Sequence, residues 1–143
     1  MKRRGYSILE LTLLLALAAL LLGLAWPGAR AARDAYAVRA ARTETVDALA
    51  RTRALAIARG GAALSALADS ALLHVVDAAD SVHVRVDLRP LGVELDGGAG
   101  VDSFRVVYDG LGLGRVASRS IRLTRGRAEA RITVSAYGRV RAW

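Results

Sequence analysis

From Leu11 to Ala29 the chain runs for nineteen residues without a charge, and the residue just before that run is a glutamate, Glu10. With Ile8 and Leu9 in front, the run meets the length of about 20 residues that a helix needs to cross a hydrocarbon core of roughly 30 Å. Lys2, Arg3 and Arg4 lie on its N-terminal side. The positive-inside bias therefore predicts a single-pass membrane segment, with the N-terminus cytoplasmic and the rest of the chain extracytoplasmic. Glu10 is the anomaly, because an ionised carboxylate is among the costliest groups to place in hydrocarbon. A cleaved secretory signal is the simpler alternative, with Ala29-Arg30-Ala31 as its small-x-small site. It fits less well: such signals carry an apolar stretch of about 7–15 residues, and a glutamate at its leading edge hinders insertion.

The basic start ends in Gly5 and is followed by "GYSILE". That junction resembles the leader signal of type IV pilins and pseudopilins, whose usual form is Gly-Phe-Thr-Leu-Ile-Glu. The resemblance implies that a prepilin peptidase cuts after Gly5 and methylates the new N-terminal residue, Tyr6. It places Glu10 fifth in the mature chain, the position of the family's glutamate. Pro27 falls where many pilins carry a helix-kinking proline. Under this reading the carboxylate is an assembly contact: Glu10 neutralises the amino terminus of a neighbouring subunit where helices pack in low dielectric.

At 143 residues the chain has room for one compact domain beside the membrane helix, and it contains no cysteine. Its formal charge of +8 becomes +5 once the three basic residues of the leader are removed. Charge is also unevenly placed: 60–104 carries two arginines against seven carboxylates, whereas 105–143 carries nine arginines against Asp109 and Glu129. Such polarity steers an anionic partner to one side, or pairs the basic face of one subunit with the acidic face of the next.

Residues 30–59 are alanine-rich, contain neither Gly nor Pro, and place Tyr36, Val38, Val46, Leu49, Leu55 and Ile57 near one another at helical spacing. They predict an amphipathic continuation of the membrane helix, stopped by Gly60-Gly61. The whole stem from Tyr6 to Arg59 would measure roughly 80 Å. Beyond it the period becomes alternating. Val82–Leu88, a stretch near Gly92–Leu95 and "SFRVVYD" at 103–109 read as strands. Residues 120–135 read as a hairpin turning near Arg125-Gly126-Arg127, with Ile121 and Leu123 opposite Ile132 and Val134; "GRVRAW" follows. The expected fold is α+β and pilin-like: a long N-terminal helix on one small antiparallel sheet. Its divisions are a leader 1–5, a transmembrane helix 6–29, the amphipathic half 30–59 and a sheet-bearing head 60–143.

No catalytic constellation, cofactor site or metal site is expected. His74 and His83 lack a ligand partner at helical spacing, and the acidic residues at 77, 80, 87, 94, 96 and 102 match no EF-hand loop. The glycines of "GLGLG" precede no helix and so form no phosphate loop. Within the pilin-like class, "ALARTRALAIARG", "YDGLGLGR" and the closing "YGRVR" are similar to pieces of GspH/FimT-type minor pseudopilins. In FimT-like members a terminal Gly-Arg-x-Arg is associated with DNA capture during natural transformation, which implies DNA-binding roles for Arg139 and Arg141, widened by Arg131, Arg122, Arg125 and Arg127. In a strand the two arginines point one way and Val140 the other. Contact with double-stranded DNA would be to its backbone and sequence-tolerant, since nothing resembles a groove-reading helix. The implied partners are prepilin peptidase, other pilin or pseudopilin subunits, the inner membrane and DNA. The rival readings are a GspH-like subunit of a type II secretion pseudopilus and a membrane-anchored enzyme.

Overall fold

The computed structural model describes residues 7–98, 102–115 and 118–143, so Gly5 and Tyr6 lie outside it. A helix, α1, spans Ile8–Arg59. The chain divides into two units, residues up to Arg33 and from Asp34 onward.

In the first unit, every large apolar side chain from Ile8 to Trp26 is exposed, as expected of a segment whose surroundings are lipid or other helices. α1 is long and apolar enough to cross a membrane. Pro27 lies inside the helix. One turn apart, the Arg30 guanidinium sits 5.8 Å from the centre of the Trp26 ring. An aromatic at the end of an apolar run, with a cation beyond it, is the side-chain order of a membrane–water boundary.

In the second unit, α1 buries Ala37, Val38, Ala41, Thr45, Ala48, Leu49, Thr52 and Ala56. These recur every three or four residues and form one face. Six of the eight are Ala or Thr, so small side chains make up most of this face. The hydroxyls of Thr45 and Thr52 donate to the carbonyls of Ala41 and Ala48 at 2.7 Å each, which leaves no buried donor unpaired on this face. Tyr36 and Ile57, expected on the apolar face, are instead 73% and 57% exposed. Helical spacing located the face, but residue size chose its members. Gly60, with φ +80°, then turns the chain out of the helix.

Where one sheet was expected, there are two, both antiparallel. The first contains β1 (Gly61–Leu67), β2 (Leu72–Asp77), β3 (Val82–Asp87) and β5 (Ser103–Asp109) in the order β3-β2-β1-β5. The second contains β4 (Glu94–Asp96), β6 (Arg119–Arg125), β7 (Ala128–Val134) and β8 (Val140–Ala142) in the order β4-β6-β7-β8. A short 3-10 turn, Arg89–Leu91, precedes β4. The extra strands are β1 and β2. β1 is mostly Ala and Ser, residues that do not mark a strand by propensity, and it is strand because it pairs with both β2 and β5.

Helix and sheets share one core. Leu64, Leu73, Val106, Tyr108, Ile121 and Ile132 cluster there with Val38, Leu49 and the helix alanines. The β6–β7 hairpin closes through Gly126-Arg127, which pairs Ile121 with Ile132 but sets Leu123 opposite Ala130 and Arg119 opposite Val134. Loop length fixes that register. Gly126 needs its φ of +57°, and a Cβ there would lie 2.5 Å from the Asp34 carboxylate.

Candidate nucleic-acid interface

β8 is placed by a turn that two glycine-rich stretches build together. Gly138 has φ +76° and is buried. A Cβ on it would meet the Tyr108 ring at 2.9 Å and backbone atoms of Gly112 and Gly114 at 3.1 Å. Gly114 in turn faces the Ala136 carbonyl and the Gly138 nitrogen at 2.9 and 3.0 Å by the same measure. "YDGLGLG" and "YG" thus meet backbone to backbone. Asp109 holds its own turn, accepting from the amides of Leu111 and Leu113 at 3.0 and 2.9 Å. The Tyr108 hydroxyl is buried without a hydrogen-bond partner among the described residues, and desolvation pushes its pKa up.

From that turn the chain pairs with β7. Ser135 N–H donates to the Arg139 carbonyl at 2.9 Å, and Arg139 N–H donates to Ser135 Oγ at 3.1 Å. Val134 then faces Val140, Thr133 faces Arg141 and Ile132 faces Ala142. Arg131 and Trp143 close the ladder with reciprocal 3.0 Å bonds. Arg42 donates to the Ala142 carbonyl at 3.0 Å and ties the strand to α1. Val140 is half-buried against the core, whereas Arg139 and Arg141 are exposed.

The arginines of this sheet do not form one stripe. Arg125 is half-buried, donating to Asp34 at 2.9 Å and to the Leu91 carbonyl, so it is a structural tie. Arg122 and Arg131 share Glu129 at 3.3 and 3.9 Å. Arg127 sits exposed in the hairpin loop. Among the described residues, Arg139 and Arg141 have no ion-pair partner, and they line an open depression of about 560 Å³ with Thr133, Ser135, Tyr137 and Trp143. At the opposite edge of the sheet, β4 presents exposed Glu94 and Asp96. The charge polarity of the sequence therefore becomes a gradient across one sheet. Tyr137 and Trp143 were not among the residues that the sequence picked out. Their signal was "AYGRVRAW", in which an aromatic stands on either side of the arginine pair.

Other polar groups are committed to local structure. Asp77 accepts from His83 Nε2 at 2.8 Å, Arg59 at 3.2 Å and the amides of Ala79 and Ser81 at 2.9 and 3.0 Å. The His83 bond above all, then the two amides, lower its pKa to about 2. Asp87 is lowered to about 2 chiefly by Arg89, which grips it at 2.7 and 2.9 Å. Asp80 pairs with Arg105 at 2.6 Å and Asp96 caps the Gly98 amide at 2.7 Å. Among the described residues no group of three His, Asp or Glu is placed to hold a metal. Because the folded pKa of Asp77 lies below its unfolded value, its contribution to stability is present above about pH 4 and is lost as pH falls toward about 2. Thermal unfolding followed between those limits should show a falling midpoint, and Asp77→Asn should show a shallower fall from a lower starting value.

No protein-family model matches the sequence, and no curated protein matches it. A crystal structure of the type IV minor pilin FimU of Pseudomonas aeruginosa (strain PAO1) superposes with a TM-score of 0.60 at 18% identity, covering 74% of this chain and 87% of that one. One N-terminal helix against antiparallel sheets is thus the fold of a type IV pilin.

Proposed function

We propose that the chain is a minor pilin or pseudopilin of the GspH/FimT type, acting by assembly and contact and not by catalysis. It is made with leader 1–5, held in the inner membrane by 6–29, cut by prepilin peptidase after Gly5 and methylated at Tyr6. Glu10 then pairs with the amino terminus of a neighbouring subunit, the helix bends at Pro27, and the subunit enters a type IV pilus or pilus-like fibre. Its pilin fold and the exposed apolar side chains of Ile8 to Trp26 support this reading.

In the same proposal, Arg139 and Arg141 touch DNA, with Arg131 a weaker third contact. The observation that carries it is the contrast within one sheet: Arg122, Arg125 and Arg131 have carboxylate neighbours and Arg119 lies over the Phe104 ring, whereas Arg139, just before β8, and Arg141, on it, have no carboxylate partner among the described residues. Planar guanidinium forks so presented suit phosphate.

The full chain in nonionic detergent should bind duplexes of unrelated sequence, with an affinity that falls as salt rises by a log–log slope of about −0.9 per phosphate neutralised. Arg139→Ala with Arg141→Ala should flatten that slope by roughly two units. Equal affinities for the parent and the double variant would take DNA away from this strand and leave it a subunit contact, as the secretion-pseudopilus alternative requires.

A further inference from the structure

Two exposed aromatic side chains share the depression with the arginine pair, and the DNA reading gives them no task. Tyr137 is 80% exposed and Trp143 64% exposed. Both line the depression that Arg139 and Arg141 line, with the hydroxyl side chains of Thr133 and Ser135 between them. The ladder fixes their order. Tyr137 stands at the turn, then come Arg139 beside Ser135, Arg141 beside Thr133 and Trp143 beside Arg131. Arg139, Arg141 and Trp143 recur every second residue, so they share one face and span about 13 Å at roughly 3.3 Å per residue. Protein-binding hot spots are also rich in Trp, Tyr and Arg, but their aromatics cluster in well-packed, fully desolvated pockets. Here they stand apart, with cations and hydroxyls between them.

We propose that this edge takes single-stranded nucleic acid, with bases stacked on Tyr137 and Trp143 and the phosphates between them on Arg139 and Arg141. The inference rests on the DNA reading above and narrows its ligand. In a duplex, the faces of the bases are already covered by their neighbours, and only the backbone is open to a surface. In a single strand each base has a free π-face, and an aromatic platform engages it without regard to sequence. The depression, at about 560 Å³, is within the range that accommodates small organic groups, roughly 300–1,000 Å³.

Fluorescence anisotropy of the full chain in nonionic detergent tests this with three probes: a short oligothymidylate, an abasic strand of equal length and charge, and a duplex of that length. The oligothymidylate should bind more tightly than the abasic strand by roughly 5- to 150-fold for each stacked base. Tyr137→Ala and Trp143→Ala should each reduce that ratio, and Tyr137→Phe and Trp143→Phe should retain it. Equal binding of base-bearing and abasic strands, with the arginine double variant still impaired, would overturn the stacking proposal and leave the phosphate contact standing. Loss of binding to no probe in the arginine variant would overturn the DNA reading itself. Aromatic variants that changed only self-association of the protein would also overturn the proposal.

Discussion

Glu10→Ala is expected to leave the protein in the membrane and remove it from fibres. Glu10 lies in the first turn of α1, in a segment whose large apolar side chains are all exposed. A carboxylate costs about 2.5–3.5 kcal/mol on insertion at the centre of a spanning helix and less in the first turn, where Glu10 stands, so its removal does not oppose insertion. Breaking a buried ion pair by deleting one partner costs about 3–5 kcal/mol, which lowers incorporation by about two to three and a half orders of magnitude. A competing account is that Glu10 serves the helix dipole alone, an effect of about 0.3–1 kcal/mol. The two differ in the blot: membrane and sheared-fibre fractions should both contain the parent, whereas the variant should appear only in the membrane. Mass spectrometry of the parent should show methylated Tyr6 at the N-terminus. A start after Ala31, or normal fibre entry by Glu10→Ala, would end the pilin assembly reading.

Gly138→Val should strongly destabilise the head. The position combines φ +76° with neighbours at 2.9–3.1 Å from any Cβ. The left-handed conformation costs an L-residue roughly 1–2 kcal/mol, and a β-branched one more. Overpacking against Tyr108 and two glycine backbones adds about 1–3 kcal/mol. Against a total stability of about 5–15 kcal/mol for a domain, that is a large share. Urea unfolding should therefore show a clearly lower midpoint for Gly138→Val, while Arg139→Ala, one residue on and exposed, stays within about 0.5 kcal/mol of the parent. Similar midpoints for the two would mean that the glycine contact with Tyr108 does not hold β8 in place.

The strands that could be read from sequence are those whose alternation is written in large residues. β5 buries Phe104, Val106 and Tyr108, and the β6–β7 hairpin buries Ile121, Leu123 and Ile132. β1 could not be read because Ala62, Ala63, Leu64 and Ala66 are all buried, which leaves no polar face to alternate against. The helix was legible as a helix, and Val38 and Leu49 marked its inward face, but the alanines and threonines that fill that face were not legible, since alanine carries little hydrophobic signal. For the candidate site, the arginine pair stood out as a motif. The commitment of Arg125 to Asp34 did not, because those residues are 91 apart in sequence. The same holds for the meeting of Tyr108 with Gly138: only the folded chain brings them together.

The small-residue face of α1 also limits how this head can drift over generations. Ala41, Ala48 and Ala56 are fully or almost fully buried, and glycine is the only smaller residue, at a cost of about 1 kcal/mol in a helix. Nearly every substitution there adds volume to a close-packed contact. An enlargement survives only if Leu64, Leu73 or another side chain of the same core shrinks with it, and residues in contact are energetically coupled. Accepted change in the core is thus forced into pairs, while the outer faces of the sheets vary singly and freely. Lineages that share this architecture would lose recognisable sequence on the outside first, long before the helix and sheets part.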